Sequence, residues 1–213
     1  PYKSYANFIP EIFHEKIKTI SNGVDINLAK IKTKKIEKIK PIKKIVMYIG
    51  SIDSRIDYKL IDYLARDLKD FNFIFIGNIK KQNKSIFNKL NIKYKNIYHF
   101  NSINYNEISS YIAYSSLCII PFIKNNLSKC ILPNKLFEYS ILEKPFVMTN
   151  FNEELIDLDS HLLIAKNNIE FKRLITQQLQ KPYNTKGLKA FALKYSWKDI
   201  SIKYRKFILK VIN

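Results

Sequence analysis

Glycine occurs only four times in 213 residues, and cysteine and methionine twice each. So little glycine leaves no G-x-G-x-x-G run, the loop that dinucleotide-binding folds wrap around a pyrophosphate. Cys118 sits in an apolar run and Cys130 in a loop, which makes neither a disulfide framework nor a metal-ligand spacing. A reduced, cytoplasmic setting is therefore expected. His14, His99 and His161 are scattered, and no nucleophile–histidine–acid set or metal-ligand cluster is visible. His99, beside Phe100, reads as structural. The apolar runs are strand-length, short of the ~20 residues a membrane-crossing helix needs. No signal-peptide pattern is present.

Acidic residues are also scarce. There are 18 against 37 lysines and arginines, a formal net charge of +19. An excess of this size attracts anionic surfaces such as lipid headgroups, nucleic acid or a polyphosphate. It has a plainer source too. Lysine, isoleucine and asparagine dominate while arginine appears only as Arg55, Arg66, Arg173 and Arg205, the signature of an AT-rich coding sequence. No helix-turn-helix or base-stacking platform accompanies the charge, so nucleic acid is not an expected partner. Peripheral contact with an anionic membrane stays open.

The length and the 46% hydrophobic content fit one globular domain with a sizeable core. Residues 1–25 read as a tail, with an alternating, strand-like Lys16–Ile20 and a turn signal at Asn22-Gly23. Residues 26–43 form a lysine-rich connector with Ile31, Ile36, Ile39 and Ile42 and with Pro41, expected to be an exposed crossing segment. From residue 44 strands and helices alternate: strands at 45–49, 71–76, 97–100, 117–121, 146–148 and 162–165, with helices at 57–68, 85–90, after Asn104, and 133–142. Asn104 and Glu107 have the capping-box spacing. Three helices close the chain, at 168–180, about 186–195, and 197–212, the last capped by Ser196 with Asp199 at its third position. This alternation predicts an α/β fold, a Rossmann-like parallel sheet with flanking helices. The expected units are 44–181 for that sheet domain and 182–213 for C-terminal helices crossing back.

Ligands of open α/β sheets bind beyond the carboxyl ends of the strands, so residues just after strands are the candidates. Gly50 and Ser51 follow the first strand, where glycine lets backbone approach a phosphate; an ordinary strand-to-helix turn is the plain alternative. Arg55, in the same turn, can reach a phosphate or simply be solvated. Phe100 and Asn101, with Ser102, follow the third strand. The longer loop 121–132 carries Asn125, Asn126 and Ser128, able to address sugar hydroxyls. Lys135 and Glu138, at i and i+3 near a helix start preceded by Pro133 and Asn134, leave one helix face together. A helix N-terminus favours phosphate, a cation beside it can hold a diphosphate, and a carboxylate one turn on can accept sugar hydroxyls. The plain alternative is an exposed ion pair worth a few tenths of a kcal/mol.

The run Pro133-Asn134-Lys135-Leu136-Phe137-Glu138-Tyr139, followed by Lys144-Pro145-Phe146-Val147, resembles the signature of the donor-binding half of family-4 glycosyltransferases of the GT-B fold. Asn22-Gly23-Val24-Asp25 is similar to the hinge between the two halves of such enzymes. Tyr48-Ile49-Gly50-Ser51-Ile52, Ile74-Phe75-Ile76-Gly77, Ile119-Ile120-Pro121-Phe122 and Tyr195-Ser196-Trp197 resemble further pieces in the same order, over about residues 17–212. The resemblance implies a donor domain that binds a nucleotide-diphosphate sugar, UDP-sugar first, for transfer to a cell-surface glycan or lipid-linked acceptor. It implies that Glu138 contacts the ribose, that Lys135 lies by the diphosphate, and that the base sits near Phe100 and Asn101. Lys135 and Arg55 are then the candidate stabilisers of the leaving group, with no cofactor or metal. The acceptor domain that precedes the hinge in relatives is missing here, so a fragment, a truncated product or one subunit of a split enzyme is expected. Two departures stand out: Cys130 occupies the place of a first glutamate, and Leu142-Glu143 replaces a pair of small residues. They leave room for another reading, a non-catalytic nucleotide-binding or protein-interaction module that keeps the fold.

Overall fold

The computed structural model describes residues 8–34, 36, 44–181 and 185–212. The apolar run Ile45–Ile49 forms β1, buried on both faces as an unbroken hydrophobic strand must be. Asn72–Ile76 (β2), Ile97–Phe100 (β3), Leu117–Ile120 (β4), Phe146–Thr149 (β5) and Leu163–Ala165 (β6) complete a six-stranded sheet. Its order is β3-β2-β1-β4-β5-β6 and every neighbouring pair is parallel. Helices connect the strands: Tyr58–Asp67 (α1), Lys84–Lys93 (α2), Ile108–Tyr114 (α3) and Asn134–Ile141 (α4). Asn168–Gln180 (α5), Lys186–Leu193 (α6) and Trp197–Ile212 (α7) follow the sheet.

Local signals account for most boundaries. Asp57 starts α1 by accepting the Leu60 N–H at 2.9 Å, and Leu60, Ile61, Leu64 and Ala65 turn its apolar stripe to the core. Glu107 accepts the Asn104 N–H at 3.1 Å, at a 3-10 turn, Tyr105–Glu107, that leads into α3. Ser196 starts α7: its hydroxyl donates to Asp199 at 2.6 Å and accepts the Asp199 N–H at 3.1 Å.

Three expectations need correction. Lys16–Ile20 is not a strand. Glu11–Lys16 is a 3-10 helix and Ile17–Ile20 is irregular, because these residues lie beside α7 with no strand edge to pair with. Asn22-Gly23 is no tight turn, since Val24 N–H donates to Tyr195 at 2.8 Å and Trp197 N–H to Val24 at 3.1 Å, joining this segment to the start of α7. The connector is not wholly exposed either. Ile26–Lys30 is a 3-10 helix that packs on α4 with Leu28 fully buried, and Ile36 is buried too. Ile39, Pro41 and Ile42 lie outside the described residues.

The turn after α4 shows what Leu142-Glu143 does. Lys144 N–H donates to Tyr139 and Glu143 N–H to Ser140, both at 3.0 Å, closing a Schellman cap with Glu143 in the left-handed position at φ +50°. A glutamate there is strained, although it pairs with Lys189 at 3.6 Å. Glu143→Gly should raise stability by about 1 kcal/mol in urea unfolding.

Candidate functional site

Strand order reverses between β1 and β4, and a cleft opens there beyond their carboxyl ends. It has two lobes that share Ile49, Gly50 and Ile108. The larger, about 440 Å³, is walled by Asn22, Arg55, Leu132, Pro133, Asn134, Lys135 and Glu138. The smaller, about 320 Å³, is walled by Ser51, Gly77, Asn78, Lys80, Ser102 and Ile103. Two other hollows, about 490 and 820 Å³, lie along α7, away from the switch point.

The sequence places Lys135 and Glu138 at this cleft by burying Leu136, Phe137 and Tyr139–Ile141 of α4. Leu136, Phe137 and Tyr139 are fully buried. Phe137 stacks on Phe191 and Tyr195 with centroids 5.8 and 4.7 Å away, and the Tyr139 hydroxyl accepts the Ile49 N–H at 3.3 Å, tying α4 to the end of β1. With that face fixed, residues 135 and 138 must turn to the cleft. Both are partly buried there, and no ion pair joins them. That removes the exposed-pair alternative. The Lys135 ammonium lies over the Tyr48 ring at 5.0 Å and the Phe122 ring at 5.2 Å. Burial pushes its pKa down to about 8, with Glu138 opposing and Arg55 adding to the fall. Burial raises the Glu138 carboxyl, and Lys135 opposes that. Two groups held away from their ordinary pKa values in one cleft mark a functional candidate.

The floor is backbone. Gly50 has φ +139° and Gly77 φ +143°, a region side chains rarely enter. A Cβ on Gly77 would strike the Gly50 carbonyl, so the strand ends meet there only as glycines. Gly50 N–H donates to Ile76 at 2.8 Å and Gly77 N–H to Phe100 at 3.0 Å. Ser51 lines the smaller lobe, its carbonyl accepting the Tyr48 hydroxyl at 2.8 Å. Arg55 reaches the cleft wall but grips Asp53 with two bonds, 2.9 and 2.6 Å. Burial would raise the Asp53 pKa; the Arg55 hydrogen bonds win and hold the carboxyl below its usual range.

Gly50, Ser51, Arg55, Asn134, Lys135 and Glu138 are thus brought together, and four other candidates are not. Phe100 and Asn101 stand off the cleft walls, because the Phe100 carbonyl is spent on Gly77 and the chain turns in only at Ser102 and Ile103. Ser128 is buried as a loop staple, accepting the Asn125 N–H and giving its own N–H to the Asn125 side chain, both at 2.8 Å. Asn126 is exposed and lines neither lobe. Cys130 is buried, its thiol 3.8 Å from the Asn126 carbonyl. His99, read as structural, is bonded to the Gly77 carbonyl at 2.8 Å and lines neither lobe. Sequence reasoning missed Asn78, Lys80 and Ile103 as wall residues. Their only signal was position after the second and third strands. Among the described residues no group of three or more His, Cys, Asp or Glu could hold a metal.

No family model matches the chain. A candidate teichuronic acid biosynthesis glycosyltransferase, TuaH of Bacillus subtilis strain 168, is 26% identical over 139 residues, 64% of this chain and 35% of its own length. Solved structures match over nearly the whole chain. Sucrose-phosphate synthase from Thermosynechococcus elongatus superposes with a TM-score of 0.73 at 11% identity, over 95% of this chain and 56% of its own. Anabaena HepE, in complex with UDP and glucose, gives 0.72 at 15% identity, over 94% and 58%. The fold matches a GT-B half-domain, a Rossmann-like six-stranded parallel sheet with flanking helices. The chain spans about a third of the length of TuaH and little more than half of these solved structures. In this GT-B half the hinge-like residues are held in place: Asn22 donates to the Leu132 carbonyl at 2.8 Å, and a Cβ on Gly23 would come 2.8 Å from the Trp197 ring.

Proposed function

We propose that this half-domain binds a nucleotide-diphosphate sugar, UDP-sugar first, and presents it to a cell-surface glycan or lipid-linked acceptor held by a facing domain or subunit. It would work in the cytoplasm, at the inner face of the membrane. The observation that carries the reading is the partly buried Lys135 and Glu138, unpaired with each other, beside the first turn of α4 at the switch point. In this reading the diphosphate meets the α4 N-terminus and Lys135, the ribose hydroxyls donate to Glu138, and Gly50 and Gly77 let the ligand lie against backbone. When the sugar leaves, negative charge grows on the diphosphate. Lys135, and Arg55 if it turns from Asp53, would stabilise it, the largest electrostatic contribution expected of such a site. No covalent step falls to this half. TuaH and HepE support the reading by their glycosyltransferase assignment and bound UDP respectively.

Titration calorimetry with UDP tests it. Lys135→Ala and Glu138→Ala should each weaken binding by about 1–3 kcal/mol while the circular dichroism spectrum is unchanged. Unaltered affinity in both variants refutes the donor site. The pH profile has a definite sign. Lys135 must be charged to attract diphosphate, so affinity should fall as pH rises through about 8, with proton uptake on binding above that point. Lys135→Ala should abolish that dependence.

A second reading is a non-catalytic nucleotide-binding module. It is favoured by buried Cys130 and the loop-stapling Ser128, which leave the loop after β4 with no side chain on the cleft walls before Ile131. UDP binding that persists without transfer, after a facing acceptor domain is supplied, would select it.

A further inference from the structure

Phe122 is not a polar residue, yet it lies against both cations of the larger lobe. Its ring lies 5.2 Å from the Lys135 ammonium and 5.4 Å from the Arg55 guanidinium. The ring is itself closely packed. It is buried, packed edge-on against Tyr48 at 6.4 Å and tilted against Phe151 at 5.2 Å. Its backbone is held as firmly: residue 122 bridges to Ile56, and its carbonyl accepts the Thr149 hydroxyl at 2.5 Å. Lys135 makes no hydrogen bond or ion pair in the ligand-free protein, although Glu138 is one turn away. Two aromatic faces, Tyr48 and Phe122, lie against its charge, and Glu138 and Asp53 favour that charge from a distance.

We propose that Phe122 is a positioning residue for diphosphate, its ring holding Lys135 and Arg55 as two neighbouring cations on one cleft wall. Two like charges repel: Arg55 already pairs with Asp53, whereas Lys135 makes no ion pair although Glu138 is one turn away. The negative face of an aromatic ring attracts both without neutralising either. A carboxylate in that place would cancel the charge a diphosphate needs, and water would screen it. The ring therefore favours the charged form of Lys135 without pairing it, and leaves that charge to meet an anion. This inference rests on the donor-site reading.

The test grades the ring's electrostatics at constant shape. Phe122 is replaced by mono-, di- and trifluorophenylalanine, and separately by leucine (Phe122→Leu). Two quantities are followed: the NMR titration of the Lys135 ε-carbon in the ligand-free protein, and the affinity for inorganic pyrophosphate. Glu138, Asp53 and Arg55, the charged groups around Lys135, are unchanged throughout. Each fluorine should move the Lys135 titration further below about 8 and weaken pyrophosphate binding in step, about two- to fivefold for the trifluoro ring. Phe122→Leu should do at least as much. A titration and an affinity indifferent to fluorination would overturn the positioning role alone. Failure of the unmodified protein to bind pyrophosphate would overturn the donor reading and this inference with it.

Discussion

Supplied with UDP-sugar and acceptor glycans, these 213 residues alone are expected to transfer no sugar at a measurable rate, even where they bind the donor. Bringing two reactants into register accounts for about 7–11 kcal/mol of a typical barrier, and one wall of a cleft cannot align an acceptor hydroxyl or exclude water. The shape of α7 points the same way. Ile200 is buried at its root, Phe207 is half-buried, and Tyr204 and Ile208 are exposed together with Trp197 and Leu209. The side chain of Val211, expected on the same stripe, lies outside the described residues. An apolar face of this kind needs a cover and promotes association without one. A facing acceptor domain, added in trans or by fusion, should restore turnover and reduce self-association in analytical ultracentrifugation. Robust turnover by the purified monomer would defeat the half-site argument.

Gly77→Ala should be the most damaging single substitution at the cleft. At φ +143° an alanine is strained, and its Cβ meets the Gly50 carbonyl, which is backbone and has no rotamer to yield. The strain and the displacement together should cost roughly 2–4 kcal/mol in urea unfolding. The second consequence is functional. Gly77 abuts Gly50, which lines both lobes, so moving one strand end shifts the wall beside Lys135, and UDP affinity should fall beyond what the lost stability explains. An alanine variant as stable as the parent would show that the strand ends can separate freely.

The α/β alternation, the strand positions and the helix starts were legible in the chain because they rest on local chemistry. Continuous apolar runs announce buried parallel strands. Asp57, Asn104 and Ser196 cap the turns that follow them whatever the rest of the protein does. Lys135 and Glu138 were legible for the same reason: spacing on α4 puts them on one face, and the apolar residues between them can only point inward. The Lys16–Ile20 segment was misread because alternation specifies a strand only where a sheet edge is there to receive it.

What the chain alone determined, then, was which residues share a helix face and which follow a strand, since both are set within a few residues by backbone periodicity. Only the tertiary structure decided which of those strand ends converge. Ser128 and Asn126 follow a strand as Ser51 does, yet a hydrogen-bonded loop turns one inward and leaves the other exposed. Asn78 and Lys80 became wall residues because β2 lies beside β1, a long-range pairing no local spacing encodes. Phe122 gained its place against two cations in the same way. Its neighbours come from two other stretches of chain, Tyr48 and Arg55 from β1 and the turn after it and Lys135 from α4, and the two cations matter to one another only because folding removes the water between them.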